Sequence, residues 1–123
     1  MSATLEPLVT PSFGCTPTLA RQKLAIEFTG SGDMNAMVPL SDYLKQVHDA
    51  AILQGLLEVS CDFRKLTFMN SSCFKAFVVW IDSVKNLAAP YKIRFLTDPN
   101  IHWQRRSLEA LRRLAIQIVT LET

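Results

Sequence analysis

From Lys23 to Thr29 apolar and polar positions alternate, with Leu24, Ile26 and Phe28 on one side and Lys23, Ala25, Glu27 and Thr29 on the other. Period-two alternation rich in branched and aromatic residues predicts a strand with one buried face. Gly30-Ser31-Gly32-Asp33 then turns the chain. A dinucleotide loop needs a third glycine at fixed spacing, which is missing, so a plain turn is expected. Leu40, Leu44, Val47 and Ala51 next recur at helical spacing. They predict a helix that starts near Asn35–Val38 and runs to Gln54, with Asp33 or Asn35 as cap and Pro39 in the first turn. Gly55 is its expected left-handed stop.

A second strand is expected over Leu56–Cys61, followed by a short extended link through Phe63 to Phe68. The next periodicity predicts a helix over Ser71–Ala88, with Phe74, Phe77, Val78, Ile81, Val84 and Ala88 towards the core. Ser72, Ala76, Val79, Trp80 and Ser83 gather on the opposite side, which is unusually apolar for a solvated face. Either another element covers that side, or Val79 and Trp80 form a partner surface. Pro90 ends the helix and Tyr91–Thr97 alternates as a third strand. Asp98-Pro99 reads as the cap and first residue of another helix. Leu108, Leu111 and Ala115 give it one apolar line, and Trp103, Ala110 and Leu114 a second. Arg105, Arg106, Glu109, Arg112 and Arg113 form its polar face. A solvated surface explains these arginines most simply, and an acidic patch on a partner is the functional alternative. Ile116–Leu121 is expected as the closing strand.

Ahead of these elements, Pro7, Pro11 and Pro17 break any helix and confine a strand to a sheet edge. Residues 1–20 are therefore expected as a leader holding at most one irregular edge strand, somewhere in Thr4–Thr18. Residues 21–123 are expected to form one domain, a mixed, mostly parallel α/β sheet with right-handed crossovers.

Composition narrows the function. The chain of 123 residues is 49% hydrophobic and 20% charged, a globular balance, and its net charge of +2 gives no case for nucleic acid. Cys15, Cys61 and Cys73 form no C-x-x-C pair, which argues against a disulfide framework or structural zinc and fits a cytoplasmic location. Neither a secretory signal nor a run of ~20 apolar residues is evident, so no membrane insertion is expected. His48 and His102 have no spaced partner, and no paired carboxylates, metal cluster or phosphate loop appears. An enzyme is not expected, and neither is a cofactor or a metal. Ser71 and Ser72 stand at a predicted helix start, a place that suits either a plain cap or phosphate chemistry.

The run Thr67-Phe68-Met69-Asn70-Ser71-Ser72 resembles the segment around the switch serine of the STAS domain family (sulfate transporter and anti-sigma factor antagonist). Phe28-Thr29-Gly30-Ser31-Gly32-Asp33 is similar to that family's strand ending in Gly-x-x-Asp, and Asp62 falls where the family often carries Asp. The similarity spans roughly residues 20–122 and departs from the family at the corner itself. Asn70 stands in place of the usual Asp, and Cys73 and Lys75 in place of small glycines. The resemblance implies a STAS-like single domain with helices packed largely on one face. It further implies a bacterial anti-sigma factor antagonist in a partner-switching pathway of transcription regulation. Such a protein binds an anti-sigma factor that is usually also a serine kinase, and loses it on phosphorylation of the switch serine. By position that phosphorylation site is Ser71, with Ser72 as fallback. The implied partner-binding residues are Asp33, Asn70, Ser71, Ser72, Lys75, Val79 and Trp80. A non-switching STAS subunit of a scaffold or transport complex is the alternative, and a homodimer through the apolar helix face stays open.

Overall fold

Pairing between the chain before Lys23 and the strand after it builds one side of the sheet. The computed structural model describes residues 5–123, and its first elements are Leu8–Val9 (β1) and Phe13–Ala20 (β2). β2 runs antiparallel along the whole of Lys23–Gly32 (β3) up to Gly30, from Phe13 opposite Gly30 to Ala20 opposite Lys23. The stretch expected as a leader with at most one irregular edge strand adds two strands to the sheet, although residues 1–4, including the start of the expected edge-strand range, lie outside the described residues. Phe13 and Cys15 supply its buried side. Pro17 is tolerated because β1 pairs only with Gly14 and Cys15, leaving β2 as the open edge beyond them. Gly30 takes φ 86, and a Cβ there would lie 2.2 Å from the Ser12 carbonyl oxygen, so only glycine lets the loop before β2 press so closely.

Glu58–Met69 (β4), Lys92–Leu96 (β5) and Val119–Glu122 (β6) continue the sheet, each parallel to its neighbour, in the order β1-β2-β3-β4-β5-β6. The crossovers carry Met37–Gln54 (α1), Ser71–Lys85 (α2) and His102–Arg113 (α3). Leu24, Ile26, Phe28, Val59, Cys61, Phe63, Ile93 and Phe95 are buried, while the alternate positions Glu27, Ser60, Asp62 and Arg94 are only partly so. That division places the helices on one face and leaves the other polar, laced by Lys65–Glu27 and Arg94–Glu58 ion pairs of 3.5 and 3.6 Å. Phe28 stacks on Phe63 with centroids 5.1 Å apart, and Phe77 of α2 meets both edge-on at 5.6 and 5.4 Å. This aromatic knot seats α2 on the middle of the sheet.

Several boundaries differ from the pattern-based expectation. β4 is one strand of 12 residues instead of a short strand and a link. Two register shifts against β3, between Glu27 and Thr29 and between Gly30 and Ser31, insert extra residues into β4 and spoil the alternation around Arg64 and Lys65. α2 ends at Lys85, so Ala88 is exposed instead of in the core. α3 begins at His102 instead of Pro99, because Asp98 accepts from the Asn100 N–H at 2.9 Å and closes a turn of its own. β6 begins at Val119, since Ala115–Ile118 is spent on a turn in which the Ile118 and Val119 N–H groups both donate to the Ala115 carbonyl. The first helix behaves as its sequence reads. Asp33 caps a short 3₁₀ turn, Met34–Ala36, Pro39 lies in the first turn of α1, and Gly55 closes it with φ 61 and ψ 43.

Candidate functional site

The C-terminal ends of β3 and β4 and the N-terminus of α2 meet at one corner, where open parallel sheets commonly carry their functional groups. The Asn70 N–H donates to the Gly32 carbonyl at 2.8 Å, locking the two strand ends together. Asn70 is the cap of α2, its Oδ1 accepting from the Cys73 N–H at 2.9 Å. From the sequence, Ser71 and Ser72 stand open between a plain helix cap and a phosphate role. The structure assigns the cap to Asn70, which makes Ser71 and Ser72 the first two helical residues, both exposed. Their hydroxyls are free of any capping duty.

Asp33 borders the same corner. One carboxylate oxygen accepts from the Asn35 N–H at 3.0 Å and the other from the Ser12 hydroxyl at 3.0 Å. The Asp33 carbonyl takes the Cys73 thiol at 3.5 Å. Cys73 is fully buried, and burial raises its thiol pKa, with Asp33 adding to the shift. It packs the corner and is not a thiolate nucleophile there. Lys75 is exposed one turn beyond Ser71 and forms no ion pair among the described residues.

The surface next to Ser71 is basic. A shallow depression of about 360 Å³ is lined by Asn70, Ser71 and Phe74 on one side and by Arg106, Ser107 and Ala110 of α3 on the other. From the sequence, Arg106 reads as part of a solvated helix face or of a surface for an acidic partner patch; thirty-five positions separate it from Ser71, and no local signal joins them. Val79 lies about 12 Å further along α2, by the rise of a helix, and is 58% exposed. Trp80 corrects the expected partner surface, for it is 3% exposed and donates its indole N–H to the buried Tyr91 hydroxyl at 2.9 Å. α1 covers that side of α2. Between the two helices runs a groove of about 230 Å³ lined by Leu44, Lys45, His48, Ala76, Val79 and Trp80, with only the rim of the indole reaching it.

Asp33, Asn70, Ser71 and Ser72 are therefore brought together, Lys75 and Val79 extend the patch along α2, and Trp80 supports it from beneath. Neither histidine stands at this corner. His48 Nδ1 is 2.8 Å from the Tyr91 hydroxyl, and His102 lines a groove on α3. No group of three His, Cys, Asp or Glu side chains that could hold a metal occurs among the described residues. Among those residues, no helix is long and apolar enough to cross a membrane. The arrangement offers an exposed serine at a positive helix end.

No family model and no curated protein matches the chain by sequence. Solved structures do match it in fold. An anti-sigma factor antagonist from Mycobacterium paratuberculosis superposes with a TM-score of 0.68 at 14% identity, covering 94% of this chain and 90% of that one. The anti-sigma factor antagonist SpoIIAA in its unphosphorylated form gives 0.59 at 14% identity, covering 89% and 88%. The Bacillus cell fate determinant SpoIIAA in its phosphorylated form gives 0.57 at 17% identity, covering 89% and 91%. The chain thus has the single-domain α/β fold of anti-sigma factor antagonists, with a mixed six-stranded sheet and helices on one face.

Proposed function

We propose that this protein is a regulatory binding module of the anti-sigma factor antagonist type, held by an anti-sigma factor or serine kinase and released by phosphorylation of Ser71. The observation that carries the reading is the division of labour at the corner: Asn70 caps α2, and Ser71 is left exposed as its first residue. Phosphorylation there would add about −1.5 to −2 charges. The positive end of α2 and the neighbouring Arg106 can carry that charge within the domain. A partner docked over Ser71 and Val79 with acidic or apolar groups cannot, so the fold persists while the complex is lost. Asn70, standing where the resembled motif has an acid, keeps the unmodified corner less negative and makes the charge change on phosphorylation larger in proportion.

The test is a pull-down from native lysate with wild type, Ser71→Ala and Ser71→Asp, partners being identified by mass spectrometry. A kinase-like or anti-sigma partner held by wild type and Ser71→Ala and lost by Ser71→Asp is the expected result. Phosphate mapped to Ser72 would move the switch by one residue. Identical partners in all three samples would instead make the chain a non-switching subunit of a scaffold or transport complex.

A further inference from the structure

A second charged surface runs along the edge of the sheet at β6 and borders Ser71's corner through Arg106. Among the described residues, β6 pairs with β5 on one side only. The Ile93 N–H donates to Ile118 O and the Thr97 N–H to Glu122 O, so residues 118, 120 and 122 turn their main-chain groups inward. Strand alternation then turns the Leu121 N–H and C=O and the Val119 C=O to the open side, while the Val119 N–H is already given to Ala115 O. An open groove of about 1100 Å³ runs between this edge and α3, and its lining includes His102, Arg105, Arg106, Arg113, Val119 and Leu121. Glu109 pairs with Arg112 and, at 3.8 Å, with Arg113, whereas Arg105 and Arg106 form no ion pair among the described residues. Main-chain groups open to pairing thus flank one channel with several guanidinium groups, which outnumber the single Glu109 carboxylate that Arg112, Arg113 and Arg105 all act on.

We propose that this groove docks an extended acidic segment of a partner protein, which adds to β6 as a further strand and sets carboxylates against Arg105, Arg106 and Arg113. Strand addition gives affinity through main-chain hydrogen bonds and leaves alternate side chains to specify the partner. On the face turned towards α3, carboxylates would meet the guanidinium groups beside Leu121 and Ile116, which is 64% exposed, while the alternate residues would lie along exposed Thr120 on the other face. Guanidinium groups suit planar, two-point recognition of carboxylates. Nucleic acid fits less well. The lining has no Phe, Tyr or Trp on which a base could stack, Glu109 stands within it, and the chain carries a net charge of only +2. Arg106 is shared with the Ser71 depression, whereas Arg105, Arg113 and the β6 edge do not line that depression.

The test uses the full chain and a labelled peptide in which glutamate alternates with valine, followed by fluorescence anisotropy. Saturable binding that weakens with added salt is expected, and loss by roughly tenfold or more in R105E/R106E. The same peptide with lysine for glutamate should not bind. Amide hydrogen exchange should slow at Leu121 when the acidic peptide is present, which separates strand pairing from charge attraction alone. Both arginines are exposed, and R105A/R106A with an unchanged thermal melt guards against a folding artefact. Absence of binding overturns the proposal, as does equal binding of the lysine peptide, indifference to R105E/R106E, or unaltered exchange at Leu121. Preference for a single-stranded oligonucleotide over the peptide would overturn it in favour of a nucleic-acid surface.

Discussion

Trp80 and Tyr91 are joined by a hydrogen bond of 2.9 Å from the indole N–H to the phenolic oxygen, with both side chains buried where α2 meets the start of β5. His48 of α1 approaches the same oxygen at 2.8 Å, so one hydroxyl ties two helices to the sheet. Burial also raises the Tyr91 pKa, which keeps the hydroxyl protonated through the working range. Tyr91→Phe leaves the Trp80 N–H buried without an acceptor and should cost about 1–3 kcal/mol in urea unfolding. Trp80→Ala removes a packed aromatic and should cost about 3–5 kcal/mol. A loss of partner binding in that variant would report folding first. Val79→Ser, on the 58% exposed neighbour, should stay within about 0.5 kcal/mol and is the cleaner probe of the helix surface.

Asn70 and Ser71 should separate cleanly by stability. Asn70→Ala removes the acceptor for the Cys73 N–H at the start of α2 and should lower stability by about 0.5–2 kcal/mol. Ser71→Ala, one residue later and exposed, should change it by less than about 0.5 kcal/mol. Asn70→Asp keeps the cap and adds a charge at the positive helix end, so it should recover or exceed wild-type stability by about 0.3–1 kcal/mol at low salt. Midpoints of urea unfolding for the three variants decide it. A Ser71→Ala loss as large as that of Asn70→Ala would return the capping role to the serine.

How much of this was legible in the sequence follows from which interactions are local. The Leu24–Ile26–Phe28 alternation, the Gly55 stop and the order of strands and helices from β3 onwards rest on neighbours in the chain, and they were readable. Trp80 was not. Helical angles alone set it opposite Phe77, but α2 lies between α1 and α3 on the sheet, so its flanks are covered as well as its base. β4 was cut short because its bulges break the period of two at Arg64 and Lys65. At the corner, Asp33, Asn70 and Ser71 were found through resemblance to a known pattern. Arg106 and Ser12 reach it only through folding, across thirty-five and twenty-one positions from Ser71 and Asp33 respectively.

Gln104 is the clearest case of a residue that pattern reading passes over, since a glutamine on a helix reads as solvated. Its side chain is fully buried, donating to the Phe63 and Leu66 carbonyls, the latter at 3.0 Å, and accepting from the Asp98 N–H at 2.9 Å. Phe63 and Leu66 flank the first bulge of β4, where ladder partners are lost, so one amide satisfies the carbonyls that the extra residue leaves over. Gln104→Leu keeps the volume and removes every polar contact. It should cost about 1–3 kcal/mol for each main-chain group left orphaned. Protease nicking or faster amide exchange near Leu66 should accompany the loss. A variant as stable as wild type would mean that water replaces the amide.

The buried thiols predict how stability falls on the alkaline side. Burial raises the pKa of both Cys15 and Cys61, with Cys15 adding to the Cys61 shift. In the unfolded chain both thiols ionise near the ordinary value of about 8.5, whereas in the fold they hold their protons. The unfolded state therefore binds fewer protons above that pH, and stability is complete below it and declines as pH rises towards the folded values. Each thiol contributes a slope of up to about 1.4 kcal/mol per pH unit. Urea midpoints measured from neutral pH upwards should show this decline, and Cys15→Ala with Cys61→Ala should flatten it while lowering the neutral-pH plateau through lost packing. All three thiols should resist a thiol reagent in the native protein and react together in denaturant, because Cys15, Cys61 and Cys73 are each fully buried. Rapid labelling of Cys73 in the native state would show that the corner beside Ser71 opens on its own.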